Sequence, residues 1–244
     1  MNEYAPCVVC GGKVTQGIEV YEAKCAVCGK DINTNYMCEK GHYVCNQCKI
    51  KVCKDEIKSI CLKSKSTDPI EVAFLLMDSP VFKNIVGCRY YVIAALALYT
   101  VNRNLGGKFE DFDKTLENVI FRAMKCPTSL CKMGGICGIP IATGMTLPDC
   151  LNETDQQKIE AMIKYHGEIS VAAVESEKYS GSRDCCNRNA IVSILAAVRF
   201  TSDYLWIDMN LPDRIVCKYS NNNPRCNKEQ CRFYLGYRVH KSHI

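Results

Sequence analysis

The strongest constraint on this chain lies in its first 48 residues, where metal-type side chains occur as four pairs: Cys7-x-x-Cys10, Cys25-x-x-Cys28, Cys38-x-x-x-His42 and Cys45-x-x-Cys48. A Cys-x-x-Cys turn aims two thiolates at one ion at about 2.3 Å, and two such pairs complete a closed tetrahedral zinc site. Four pairs therefore fill two sites and leave no open position for catalysis. Gly11, Gly29 and Gly41 stand where such knuckles need a permissive backbone. Zinc in a module this small replaces a hydrophobic core, stabilising by about 10 to 16 kcal/mol per site.

Spacing alone leaves open how the pairs combine. Sequential pairing makes a zinc ribbon from Cys7, Cys10, Cys25 and Cys28, then a site of three cysteines and one histidine from Cys38, His42, Cys45 and Cys48. The order of pairs from Cys25 to Cys48 also resembles that of RING-type domains, whose sites interleave. The sequential arrangement is preferred here, because a RING requires a further Cys-x-x-Cys after Cys48 and only Cys53 and Cys61 follow.

The 19 cysteines of the 244 residues bear on the redox compartment. The opening MNEYAPCVVC has neither a basic n-region nor an apolar h-region, so the cytoplasm is the expected location. An odd cysteine count with Cys-x-x-Cys clustering then reads as metal or redox chemistry rather than a disulfide framework. Composition is that of an ordinary folded protein, with 48% hydrophobic and 23% charged residues. The longest apolar run, Tyr90 to Val101, is too short to span a bilayer and reads as one core helix, so no membrane association is expected.

The fold class is expected to be mainly α, with a small zinc-ribbon or RING-like module followed by an all-α domain. The zinc module covers residues 1–53 and a connecting helix and linker cover 54–68. A cysteine-rich all-α domain with a basic C-terminal tail occupies 69–244. Asp68 before Pro69 is an N-cap ahead of a first-turn proline, opening a helix over 69–78. Further helices are expected at 86–103, 110–125, 138–146, 155–176 and 187–205, the fifth opened by a Thr154/Gln157 capping box. Gly106-Gly107, Gly134-Gly135 and the stretch 179–184 mark loops, and residues 215–235 begin with a short extended piece. From Arg214 onward seven basic residues face one acidic residue, Glu229. Such a tail suits a polyanion such as RNA, although it is more often a solvated surface.

The remaining cysteines are not zinc knuckles. Cys131 and Cys137 lie in KCPTSLCKMGGICG, whose glycines bring backbone N–H groups close to an anionic cluster. Cys185 and Cys186 follow SGSRD at a helix start, where the dipole and Arg183 lower a thiol pKa. Adjacent cysteines rarely bind one ion together, so one of this pair is the reactive member. Cys217, Cys226 and Cys231 lie in a polar loop with Pro224. The set suits iron–sulfur ligation or redox-active thiols. Cys88, Cys126 and Cys150 read as buried structural cysteines. His166, Asp111 and Asp113 need no catalytic role, and no nucleotide-binding, hydrolase, zinc-protease or radical-SAM motif is present.

Four segments, GHYVCNQC, SLCKMGGICGIPIATGM, RDCCNRNAIVSILAAV and CKYSNNNPRCNKEQCRFY, occur in an order that resembles the prokaryotic cysteine-rich domain-of-unknown-function 5714 family over nearly the whole chain. The resemblance implies that Cys131, Cys137, Cys185, Cys186, Cys217, Cys226 and Cys231 are the characteristic set, with Cys126 and Cys150 outside it. It also implies a methyltransferase or radical-SAM partner, since members occur joined to such modules. The stretch GGICGIPIATGM is similar to the C-GCAxxG-C-C family of redox proteins, in which a glycine-flanked cysteine opens a helix. Gly87-Cys88-Arg89 stands where that family has a cysteine before an apolar helix.

Three functions follow as expectations. The first is a metalloprotein with two structural zinc ions and a cysteine-ligated iron–sulfur or redox-thiol site, serving electron transfer or a sulfur or one-carbon accessory role with a protein redox partner. The second is a zinc-organised adaptor or regulator that binds protein or RNA. The third, thiol-dependent transfer of methyl or sulfur groups, rests on family company alone.

Overall fold

The computed structural model describes residues 6–80, 82, 89–127, 130, 137–147, 156–157, 159–160, 163–167, 185–223 and 226–237. The chain is mainly α and divides into two compact units, residues 1–63 with 74–89, and residues 64–73 with 90–244.

In the first unit, strands β1 (Val14–Lys24) and β2 (Asp31–Cys38) form an antiparallel hairpin in which Val14 faces Cys38 and Lys24 faces Asp31. Register breaks between Gln16 and Tyr21, where β1 carries extra residues and Ile18 is fully exposed. The strands have little apolar surface to bury. Their local core is Cys25, Val44 and Cys45, with Val8, Ile32, Tyr43 and Cys48 packed against it. Cysteines of the metal-type pairs thus occupy the place of a hydrophobic core.

Helix α1 (Asn46–Lys63) buries Cys53, Ile57 and Cys61 at four-residue spacing on one face. It runs through position 53, where the sequence suggested that the zinc module ends. Its polar opening, NQCKIK, has no apolar stripe to announce a helix. The Cys45-x-x-Cys48 turn starts it instead, and the Lys49 N–H donates to the Cys45 carbonyl at 2.9 Å.

Helix α2 (Pro69–Asp78) begins where its cap places it, with the Ile70 N–H donating to Asp68 Oδ1 at 2.7 Å. A 3-10 turn over Arg89–Val92 leads into α3 (Ile93–Asn104) of the second unit, in which every residue from Ile93 to Asn102 is buried. A helix buried on all sides is the hub of its domain. Around it pack α4 (Phe112–Ala123), α5 (Gly138–Thr146) and α6 (Cys186–Leu205). Asp111 is the N-cap of α4 and accepts from the Lys114 N–H at 3.0 Å, which accounts for the acidic helix start. Close approach fixes α5: a Cβ at Gly138 would run into the Tyr91 ring, and one at Gly144 would lie 2.7 Å from the Tyr165 ring.

Of the helix expected over 155–176, the described residues 156–157, 159–160 and 163–167 are helical. Thr154, the Gly134-Gly135 loop and the 179–184 loop lie outside the described residues. Residues 215–217, where a short extended piece is expected, belong to no assigned strand, and turns and 3-10 segments at Ser220–Asn222 and Lys228–Gln230 follow them. Short-range bonds take up backbone groups a strand would pair, such as the Cys231 N–H to the Lys228 carbonyl at 2.8 Å. Among the described residues, no helix is long and apolar enough to cross a membrane.

Candidate metal centres

The N-terminal pairs combine into two groups, Cys7, Cys10, Cys38 and His42, and Cys25, Cys28, Cys45 and Cys48, each with its donor atoms within 4.8 Å of one another. The pairing is interleaved, which corrects the sequential arrangement preferred from the sequence. Strand register is the reason. Pairing Val14 with Cys38 brings the end of β2 beside the first knuckle, whereas the second knuckle lies at the hairpin turn. After His42 the chain returns to that turn, where Tyr43 bridges Cys25 and its carbonyl accepts from the Ala26 N–H at 2.8 Å. Pairs that are neighbours in sequence are thereby held at opposite ends of one hairpin.

The same turn builds the first two knuckles. Gly11 and Gly29 have φ of 69° and 71°, and their N–H groups donate to the carbonyls of Cys7 and Cys25 at 2.8 and 2.9 Å. A side chain is strained in that left-handed region, which is why glycine follows each second cysteine.

In the first group His42 presents Nδ1, 3.3 Å from Cys10 Sγ and 3.4 Å from Cys38 Sγ. Burial pushes the Cys38 thiol up, but the backbone N–H groups of His42 and Lys40, together with the Cys10 and His42 side chains, outweigh it and hold it at about 7. Cys25 shows the same competition: burial opposes ionisation, N–H groups of Cys28, Cys45 and Val27 favour it, and the balance lies at about 6. Cys48 is pushed up to about 12, by burial first and then by its neighbours Cys45, Cys28 and Cys25. Fully ionised thiolates crowded this closely need a cation among them. Both groups can hold a metal ion.

A second gathering of cysteines lies in the other unit. Cys185, Cys217, Cys226 and Cys231 line one cavity together with Arg188 and Asn223. Cys185 is the N-cap residue of α6, and the other three come from the loop that follows that helix. The Cys217 N–H donates to the Phe233 carbonyl at 2.7 Å and closes this loop, while the Cys226 N–H donates to the Asn223 carbonyl at 3.0 Å. Asn223 Nδ2 lies 3.6 Å from Cys185 Sγ, and the Lys228 N–H donates to Cys226 Sγ at 3.4 Å. None of the four is disulfide-bonded. The four do not form as tight a group as the N-terminal tetrads.

Burial raises the thiols of Cys185, Cys217 and Cys231, and repulsion from neighbouring cysteines of the cavity adds to each. At Cys185 the direction is opposite to the lowering expected for one thiol of the Cys185/Cys186 pair. The helix start does supply the Arg188 N–H, and Arg188 itself favours the thiolate, but desolvation is larger. Arg183 lies outside the described residues. Cys186 is the first residue of α6 and half-buried. Cys137 is the N-cap residue of α5 and is not part of this cavity lining, and Cys131, Cys88 and Cys150 lie outside the described residues. Cys126 is buried, its Sγ 3.5 Å from the Gly138 carbonyl. Arg188 was not singled out from the sequence. Its position one helical turn after Cys185 was the signal available.

Compared with known families, the chain matches the family of unknown function DUF5714 over residues 57–234. It belongs to that family. The DUF5714 match contains all four cysteines of the cavity and both α3 and α6. It excludes both N-terminal tetrads, so GHYVCNQC lies outside it. No curated protein and no solved structure matches the chain.

Proposed function

We propose that this DUF5714 protein carries two structural zinc ions in its N-terminal tetrads. In the same reading, an iron–sulfur cluster held by Cys185, Cys217, Cys226 and Cys231 delivers electrons to a protein partner in sulfur or one-carbon chemistry. The observation that carries this reading is the gathering of four thiols from distant parts of the sequence around one cavity, in a wider arrangement than the single-ion tetrads.

The donor sets fit these assignments. One tetrad of three thiols and an imidazole, and another of four thiols, each with all donors close together, suit tetrahedral zinc and leave no coordination position for substrate. An all-thiolate set of wider span suits a polynuclear centre. A bound cluster supplies one-electron transfer at a potential set by its charge, its hydrogen bonds and its solvent access. The chain's contribution is to bury the site, to direct Asn223 and the Lys228 N–H at sulfur, and to place Arg188 beside the thiols. A reducing compartment such as the cytoplasm would keep these thiols available. A methyltransferase or radical-SAM protein is the proposed recipient of the electrons, with Cys186, Cys137 and Cys131 as accessory thiols.

Single substitutions separate the two kinds of centre. Cys217→Ser and Cys226→Ser are each expected to abolish a brown visible chromophore in protein purified without oxygen, leaving about two zinc ions per chain. A wild-type chromophore in both variants would overturn the assignment.

A further inference from the structure

A cavity of about 1170 Å³ opens in the second unit among the Gly106-Gly107 loop, the first turns of α4 and the residues that follow α6, and no cysteine lines it. Its volume is ample for a small organic ligand. The buried polar residue of its lining is Asn102, 8% exposed. The glycine loop wraps closely around this residue: the Gly107 N–H donates to the Asn102 carbonyl at 2.9 Å, and a Cβ at Gly107 would run into Asn102 Oδ1. Among the described residues, none hydrogen-bonds the Asn102 side-chain amide. A buried amide left without partners is costly, so one that faces a cavity points to a polar occupant.

Trp206, the single tryptophan of the chain, stands on the same cavity wall at the end of α6, with φ of 56° and 90% exposure. A bulky residue in the left-handed region is uncommon, and glycine is the usual choice at a helix end. Lys108 and Lys114 add two cations to the lining, and Glu110 and Asp208 add acceptors. Asp208 also accepts from the Ser202 hydroxyl at 2.5 Å, and Asp111 is occupied as the α4 cap.

These groups match the parts of one ligand class. An exposed indole face takes a nucleobase by stacking. A carboxamide offers a donor beside an acceptor, the pair that an adenine edge complements. Lysines bind phosphate as point charges, and carboxylates accept from ribose hydroxyls. A plain sugar would leave the lysines without a role, and a cation stacked on the indole would be repelled by them.

We infer that this cavity binds a free purine nucleotide, with Trp206 as the base platform, Asn102 as the amide that reads the base, and Lys108 and Lys114 as the phosphate contacts. The cavity shares no lining residue with the cysteine cavity, and the inference goes beyond the electron-transfer reading without resting on it.

Trp206 makes the test direct, because all tryptophan fluorescence of the protein arises at this wall. ADP or GDP added to the full chain is expected to quench it saturably, whereas ribose 5-phosphate and inorganic phosphate leave it unchanged. By calorimetry, Trp206→Ala is expected to weaken nucleotide binding about tenfold. Lys108→Gln combined with Lys114→Gln is expected to weaken ADP binding more than adenosine binding. Asn102→Asp keeps the size of the side chain, loses its donor and is expected to weaken ADP binding. The exposed positions Trp206, Lys108 and Lys114 keep the inference testable where the buried one tolerates no change.

No saturable binding of either nucleotide at millimolar concentration, or wild-type affinity in Trp206→Ala, would overturn the site. Ribose 5-phosphate bound as tightly as ADP would overturn the base platform, and oligoadenylate bound more tightly than ADP would overturn a free nucleotide in favour of RNA. None of these outcomes depends on iron or sulfide content, so failure of this site and failure of the cluster reading are told apart.

Discussion

At Cys25 and Cys38 the decisive interaction is backbone N–H to sulfur. Both thiols are buried, yet both are held at lower pKa than an ordinary cysteine because the knuckle turns its amides toward them. The knuckle was legible from Cys-x-x-Cys-Gly because the requirement is local: a tight turn, two thiolates and a left-handed residue. Arg188 was not legible, because its place beside the cavity depends on Cys217, Cys226 and Cys231, which come from the loop after α6. Asp68 offers a residue-scale test. Burial raises its carboxyl pKa, the N–H groups of Ile70 and Glu71 oppose this, and the Glu71 charge adds to it. A raised folded-state pKa contributes stability below the unfolded pKa and loses it as pH rises through the folded value. Asp68→Asn, which keeps an acceptor for the Ile70 N–H, is therefore expected to match wild type in acid and exceed it slightly at neutral pH. Asp68→Ala is expected to lose about 1 kcal/mol at neutral pH through the missing cap. Denaturant titrations at the two pH values check both, and an asparagine variant less stable at neutral pH than in acid, relative to wild type, would contradict the sign.

Among the elements, helices α2 and α5 appear within the bounds their sequence suggests, because Asp68-Pro69 and the glycine-flanked Cys137 mark their starts. Helix α1 does not, since its first turn is fixed by the Cys45-x-x-Cys48 knuckle and not by an apolar stripe. The pairing of knuckles was equally hidden. It depends on which residues of β1 and β2 face each other, and register in strands this exposed is poorly encoded in hydrophobic pattern. If the metal sites stand in for a core, chelation should melt the hairpin and the first turn of α1 together. Hydrogen exchange on the full chain is expected to show protection lost over residues 14–50 after metal removal, while α3 amides stay protected. Cys48→Ser is expected to reproduce the loss at the Cys25/Cys28/Cys45/Cys48 group. Unchanged protection of β1 and β2 in the metal-free protein would show that side-chain packing suffices.

For the whole molecule, the cysteines gather in two kinds of arrangement. In the N-terminal tetrads, outside the DUF5714 match, thiols crowd to the size of one ion and replace apolar packing. Within the match, an all-α domain with a thoroughly buried central helix needs no metal to form a core, so its cavity of cysteines calls for another explanation. That contrast separates the metal-holding arrangement from the cavity for which a cluster is proposed. Its most direct test is the iron, acid-labile sulfide and zinc content per chain of wild-type protein purified without oxygen. Iron and sulfide are expected together with about two zinc ions. Zinc without iron or sulfide would contradict it.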